Sequence, residues 1–165
     1  MNVGGLFRPG MRAYLIPFVA GLVLALSAFL PWVRVGNVTL TGVPEMTGVW
    51  IAVLGGCSAV LATLSLITRK NSRHPLLLVG LVALGLVFLS WRLMPRAVAD
   101  RAMTRSQAIA IVESTPIGAP PTAEVGIGLY LGFAAALAIA GFGLTIVVKR
   151  ASQPWAAVDP DDDIS

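Results

Sequence analysis

Four long apolar runs follow one another along the chain, with polar segments between them. The runs cover residues 13–33, 48–68, 75–91 and 125–148, and none contains Asp, Glu, Lys, Arg or His. A helix of about 17–25 apolar residues can cross the hydrocarbon core of a bilayer. A charged residue at its centre would cost about 2.5–3.5 kcal/mol on the insertion scale. The pattern therefore predicts an all-α membrane protein, a bundle of four transmembrane helices that forms one domain over residues 1–150.

The loop between the first two runs, residues 34–47, continues an alternation of apolar and polar residues that begins at Pro31. Gly36-Asn37 lies at its centre, and Gly at the first position of a two-residue turn suits a type II′ β-hairpin with positive φ at that Gly. We expect the cross-strand pairs Val35 with Val38, Arg34 with Thr39, and Val33 with Leu40. An isolated hairpin is marginally stable in water, so we expect its apolar face, Val33, Val35, Val38 and Leu40, to rest on helix ends or on the second loop.

The loop between the third and fourth runs, residues 92–124, is predicted to contain an amphipathic helix that begins at Pro95. Its apolar positions fall near one stripe, made of Met94, Val98, Ala102, Ile109 and Val112. Thr104-x-x-Gln107 has the spacing of a capping box that could restart the helix. The prolines and glycine after Ser114 end the pattern. Thr122 and Glu124 are then expected to be the N-cap and the acidic first turn of the fourth helix.

The two halves of the chain resemble each other, which predicts a parallel two-helix repeat about an axis along the membrane normal. In each half a helix leads to a loop, then to Gly, an apolar residue and an aromatic residue, and then to a second helix. The aromatic residues at these ends are expected to form a belt at the outer membrane interface. They are Trp32, Trp50, Trp91 and Tyr130.

Small residues recur four positions apart in the second and fourth runs. Such pairs let helix backbones approach closely in a bilayer. The pairs include Gly55 with Ala59, Ala52 with Gly56, Gly128 with Gly132, and Ala136 with Ala140. Two interpretations stay open: the pairs close the bundle itself, or they dock a neighbouring subunit. On the second interpretation the candidate interaction residues are Gly55, Gly56, Gly128, Gly132, the turn residue Gly36 and the four aromatic residues.

Composition agrees with a membrane environment, because 56% of the 165 residues are hydrophobic, 12% are charged and the mean hydropathy is +0.83. Lys and Arg concentrate before the first run, between the second and third, and after the fourth, which places both termini in the cytoplasm. The loops 34–47 and 92–124 then lie outside. Residues 151–165 form an acidic tail that is expected to be disordered and cytoplasmic.

Residues that could carry chemistry are sparse. The single cysteine, Cys57, is expected to be a packing residue, and the single histidine, His74, an interfacial cation. One Cys and one His cannot assemble a structural zinc site or a bis-histidine haem site. The runs carry no carboxylate of the kind that couples ions in transporters. The sequence therefore predicts a protein that is not an enzyme and binds no cofactor, no metal, no nucleic acid and no small-molecule substrate.

The chain resembles a group of small bacterial four-helix membrane proteins, of which the tryptophan-associated membrane protein family is one. The resemblance lies in PWVRVGNVTLTG after the first helix, Gly48-Val49-Trp50, and VGIGLYLG at the fourth helix. It implies a membrane location and names no activity. The layout is also similar to that of claudins, whose first outside loop carries Trp, then Gly-Leu-Trp, then two cysteines. That cysteine pair is missing here, so barrier function is not implied.

These observations lead to the expectation of an accessory or scaffolding subunit of a larger complex in the bacterial cytoplasmic membrane. Its partners would be membrane lipids and other integral membrane subunits. The alternatives are a small oligomeric channel or transporter, and a sensor that binds an envelope component or lipid through the outside segments. A solute path needs polar groups facing inward, and the four runs offer only a few serines and threonines.

Overall fold

A computed structural model describes residues 13–36, 38–68, 73–114, 116 and 122–151 of the chain. Over these residues the protein is mostly helical, with four helices and one small sheet. In chain order the elements are α1 (Leu15–Ser27), β1 (Pro31–Val35), β2 (Val38–Thr41), α2 (Met46–Thr68), α3 (Arg73–Glu113), β3 (Ala123–Val125) and α4 (Ile127–Ala151). Three helices, α2, α3 and α4, are long and apolar enough to cross a membrane.

The first helix is shorter than the sequence predicts. The apolar run continues to Val33, but α1 ends at Ser27 and the chain is a strand from Pro31 onward. At 1.5 Å per residue, the 13 residues of α1 span about 20 Å, less than the hydrocarbon core of about 30 Å. Hydropathy alone did not separate Trp32 and Val33 from the helix, because a buried strand is as apolar as a membrane span.

The third helix is longer than predicted, and the boundary at Trp91 was wrong. α3 runs without interruption from Arg73 to Glu113 and contains Pro95 in its interior. The separate helix expected from Pro95, and its restart at Thr104, are the second half of this single element. Pro95 removes one helical hydrogen bond, but mostly strong helix formers flank it on both sides and carry the helix through. Of the predicted apolar stripe, Met94, Val98 and Ala102 pack against the core, whereas Ile109 and Val112 are exposed.

Close backbone contacts at glycine hold the helices together. An added Cβ at Gly55 of α2 would lie 2.5 Å from the amide nitrogen of Ala25 and 2.6 Å from the carbonyl oxygen of Gly21, both in α1. A Cβ at Gly80 of α3 would lie 2.5 Å from the amide nitrogen of Ala140 in α4. The α3–α4 and α1–α2 contacts are the most extensive in the fold, and α1 also packs on α4. The small residues therefore close the bundle, as the first of the two interpretations expected.

The three strands form an antiparallel sheet in the order β2-β1-β3. The register of β1 on β2 is the predicted one: Val35 faces Val38, Arg34 faces Thr39, and Val33 faces Leu40. The second loop supports the hairpin as expected, but it does so as a strand, since Val33, Arg34 and Val35 also pair with Val125, Glu124 and Ala123. Glu124 thus lies in β3, not in the first turn of α4, which begins at Ile127.

The apolar face of the hairpin is buried on one strand only. Val33 and Val35 of β1 are buried, Leu40 is half-buried, and Val38 is exposed. β1 is the central strand, so helices and β3 cover it, while β2 forms the edge. The expectation of a uniformly buried face was wrong for β2.

Several predictions concern residues outside the described ranges. These are the turn residue Asn37, the acidic tail from residue 152 onward, most of the proline- and glycine-rich segment before Thr122, and the cations Arg8, Arg12, Arg69 and Lys70. The parallel two-helix repeat also stays a prediction.

Candidate interaction site

Trp32 is the centre of the junction between the sheet and the helices. Its side chain is fully buried, and Nε1 donates a 2.8 Å hydrogen bond to the carbonyl oxygen of Ser27. Two glycines make room for the ring. An added Cβ at Gly42 would lie 2.5 Å from Cε2 of Trp32, and one at Gly128 would lie 2.6 Å from Cδ1. The indole therefore fills a slot between the chain after β2 and the first turn of α4, and the predicted place of Trp32 in an interfacial belt was wrong.

The same junction satisfies the last carbonyl groups of α1. These acceptors have no partner within a helix and are costly to leave unpaired away from water. The carbonyl oxygen of Ser27 accepts from Trp32 and from the backbone of Leu30, and that of Ala28 accepts from the amide of Val43 at 2.9 Å. The amide of Gly126 donates to the carbonyl oxygen of Trp32 at 2.6 Å. The end of α1 is therefore tied to both loops at once.

The other three aromatic residues of the predicted belt lie at the surface. Trp50 is 56% exposed, Trp91 42% and Tyr130 58%. Trp50 stands in the second turn of α2, whereas Trp91 and Tyr130 belong to α3 and α4 and meet at a ring-centroid distance of 6.4 Å. Their exposure is what a belt in contact with lipid requires.

Trp91 is the hub of an aromatic cluster on α3 and α4. Its ring centroid lies 6.0 Å from that of Phe133 and 6.4 Å from that of Phe88, both with the edge-to-face geometry that aromatic rings prefer. Beneath the cluster is a small cavity of about 80 Å³ lined by six apolar or aromatic side chains: Val87, Trp91, Val125, Leu129, Tyr130 and Phe133. Trp91 also lines a larger surface pocket of about 440 Å³, together with Phe88, Arg92, Pro95 and Arg96.

Most of the glycines proposed for docking lie inside the fold. Gly55, Gly128 and Gly132 are buried against other elements of the same chain. A partner could therefore reach these backbones only by displacing α1 or Trp32. These three glycines are thus no longer candidates for docking a neighbouring subunit. Gly56 faces open space, and so does Gly36, whose φ of +55° agrees with the positive value predicted for the turn.

Arg92 and Arg96 were not predicted as site residues from the sequence. The structure places both in the wall of the larger pocket beside Trp91. A signal was present, because residues 88, 91, 92, 95 and 96 follow the i, i+3, i+4, i+7, i+8 spacing of one helix face. The predicted break at Trp91 concealed it.

The residues considered for chemistry stand apart from this region. Cys57 is exposed on α2, so its predicted packing role was wrong. His74 is exposed near the start of α3, at the far end of that helix's apolar half. Within the described ranges, no three His, Cys, Asp or Glu side chains are placed to share a metal ion.

Comparison with known proteins identified no relative of this chain. The resemblance to small bacterial four-helix membrane proteins therefore stays a prediction. The chain matches no protein-family model, no curated protein and no solved structure.

Proposed function

We propose that this chain is a non-catalytic accessory or scaffolding subunit of a larger complex in the bacterial cytoplasmic membrane. In this proposal α1 to α4 lie in the membrane with both termini in the cytoplasm. The three-stranded sheet and the second half of α3 face the outside. The partner is another membrane-associated protein that binds the outside part of α3.

The length of α3 is the observation that carries the proposal. Its 41 residues extend about 61 Å, twice the hydrocarbon core of about 30 Å. The uncharged part ends at Trp91, so residues 92–113 continue for about 33 Å beyond it. A helix that only crosses the membrane needs no such extension.

The end of that extension carries exposed apolar side chains. Ile111 is 78% exposed, Val112 84% and Ile109 46%. Four arginines, one aspartate and one glutamate lie between residues 92 and 113, which marks this half as lying outside the hydrocarbon. Exposed apolar patches are typical of interaction sites, and in this proposal a protein partner covers these side chains.

The serines inside the bundle favour packing over solute transfer. Four serines are buried: Ser27, Ser58, Ser65 and Ser90. Ser27 and Ser90 donate to carbonyl oxygens of their own helices, and Ser58 donates to the carbonyl oxygen of Pro17 in α1 at 3.3 Å. These hydroxyl groups donate their hydrogen bonds within the fold, which supports a structural role for the bundle.

A double substitution tests the partner surface. Ile111→Glu with Val112→Glu should remove the chain from its complex, because two carboxylates would replace the apolar contact. We expect about a tenfold or larger loss of co-purified partner after mild detergent extraction, read by mass spectrometry and blue-native electrophoresis. Thr104→Glu is the matched control, exposed on the same helix two turns earlier. Complexes that persist in the double variant at the level of the control would overturn the proposal.

The orientation is tested by labelling. With Cys57 replaced by alanine, a cysteine introduced by Ser106→Cys in α3, or by Asn37→Cys in the hairpin turn, should react with a membrane-impermeant maleimide in intact cells. Ser72→Cys, between α2 and α3, should react only after the cells are opened. The reverse pattern would place the sheet in the cytoplasm.

A further inference from the structure

One face of α3 combines two arginines with aromatic side chains at the boundary of the apolar run. Arg92 and Arg96 line the 440 Å³ surface pocket with Phe88, Trp91 and Pro95. Trp91 is the last residue of the uncharged run 75–91, and Arg92 follows it directly. If α3 crosses a membrane with this run, the two guanidinium groups lie where lipid headgroups are found.

The two arginines give this face a local excess of positive charge, although Asp100 lies four residues after Arg96 on the same helix. Both arginines are exposed, and neither forms an ion pair with a described carboxylate. Glu124 lies in the sheet, opposite Arg34 on the neighbouring strand. Residues four apart on a helix stand next to each other, and like charges at that spacing repel. An anion with several oxygens between Arg92 and Arg96 would replace this repulsion by charge-assisted hydrogen bonds.

The second pocket at Trp91 is apolar. The cavity of about 80 Å³ between Trp91, Tyr130 and Phe133 is lined by hydrocarbon and aromatic surface alone. Sites for whole small-molecule ligands run to about 300–1,000 Å³, so this cavity has room for a short piece of hydrocarbon only. The larger pocket contains the two charged side chains, Arg92 and Arg96. Trp91 lines both pockets.

We propose that this face binds one anionic phospholipid. The phosphate lies between Arg92 and Arg96, and the start of an acyl chain lies against Trp91 and in the aromatic cavity. The inference rests on the membrane location of α3 but not on a protein partner. Arg96 and Ile109, the first of the exposed apolar residues on the same helix, are about three and a half turns apart, so the two surfaces can be tested separately.

Native mass spectrometry of the full chain tests the site. The protein is purified in detergent, mixed with equal amounts of phosphatidylglycerol and phosphatidylcholine, and its retained lipid adducts are counted. We expect the wild type to favour phosphatidylglycerol and Arg92→Gln with Arg96→Gln to lose about tenfold of that preference. Arg101→Gln with Arg105→Gln removes the same charge from exposed positions further along α3. That control should stay within about twofold of the wild type.

Two further arms decide between outcomes. Circular dichroism and thermal melting check that both double variants fold like the wild type. We expect unchanged spectra and melting temperatures, because all four arginines are exposed. Soluble glycerophosphoglycerol, which carries the phosphate without acyl chains, should compete poorly. Equal loss in the two double variants would reduce the effect to net charge and overturn the site. Efficient competition by the soluble headgroup would overturn the role of the aromatic cavity and leave a phosphate site instead of a lipid site.

Discussion

Replacing Gly55 with leucine is expected to separate α1 from α2 and to unfold a large share of the protein. The atoms that a Cβ would meet are the amide nitrogen and Cα of Ala25 and the carbonyl oxygen of Gly21. All three belong to the backbone, so no side-chain rotation can relieve the clash. Overpacking of a well-packed core costs about 1–3 kcal/mol when side chains can adjust. We expect a loss of at least about 3 kcal/mol in the free energy of unfolding, measured by SDS titration in mixed micelles.

The next residue provides the control. Gly56 is also in α2, but an added Cβ there meets nothing within 4 Å. Gly56→Leu should be neutral or slightly stabilising, since leucine favours a helix over glycine by about 0.5–1 kcal/mol. Two variants that differ by one position in the same helix thus have opposite expected signs. Equal destabilisation by both would mean that the α1–α2 crossing does not depend on the absence of a side chain at Gly55.

Removing the Trp32 side chain should have the second large effect. Trp32→Ala leaves an empty slot between Gly42 and Gly128 and deprives the carbonyl oxygen of Ser27 of its indole donor. Truncating a buried tryptophan costs about 3–5 kcal/mol, and we expect that loss in the same unfolding assay. Trp32→Phe keeps most of the ring but not the Nε1 donor, and should lose about 1–2 kcal/mol.

Trp50→Ala is the matched control for Trp32. Trp50, like Trp32, lies close to one end of an apolar run, but it is in α2 and more than half exposed. Its truncation should change the free energy of unfolding by less than about 0.5 kcal/mol. If Trp32→Ala proves as mild as Trp50→Ala, the indole is not the link between sheet and helices that the structure describes.

The hairpin shows which features of this fold can be predicted from sequence. Its register follows from the Gly36-Asn37 turn and from strict alternation over a few residues, and both are local signals. Strand β3 is too short to give such a signal. Ala123, Glu124 and Val125 alternate apolar and polar residues, but three residues do not distinguish a strand from a loop, and they form a strand by pairing with β1. Long-range pairing of a short segment cannot be read from the segment itself.

The candidate site was harder to predict for a different reason. Proline favours the first turn of a helix over its interior, which predicts a new helix at Pro95, but the helix formers around it keep α3 continuous. Because α3 is continuous, Trp91 and Arg96 lie on one face of the same helix, where both line the larger pocket. Likewise, a tryptophan at the end of an apolar run is typical of a membrane interface, and Trp32 is buried only because Gly42 and Gly128, remote in sequence, leave space on either side of its ring.

Because β1 lies in the middle of the sheet, its two edges pair at different times while the chain is being synthesised. Its pairing with β2 can form as soon as residue 41 has been made, but its other edge waits for Ala123. Ribosomes add about 5–20 residues per second, so making residues 36–122 takes about 4–17 s. During those seconds the side of β1 that later pairs with β3 is an open edge, which can recruit strands from other chains. A chain whose synthesis stops between α3 and α4 would carry that edge for its whole lifetime.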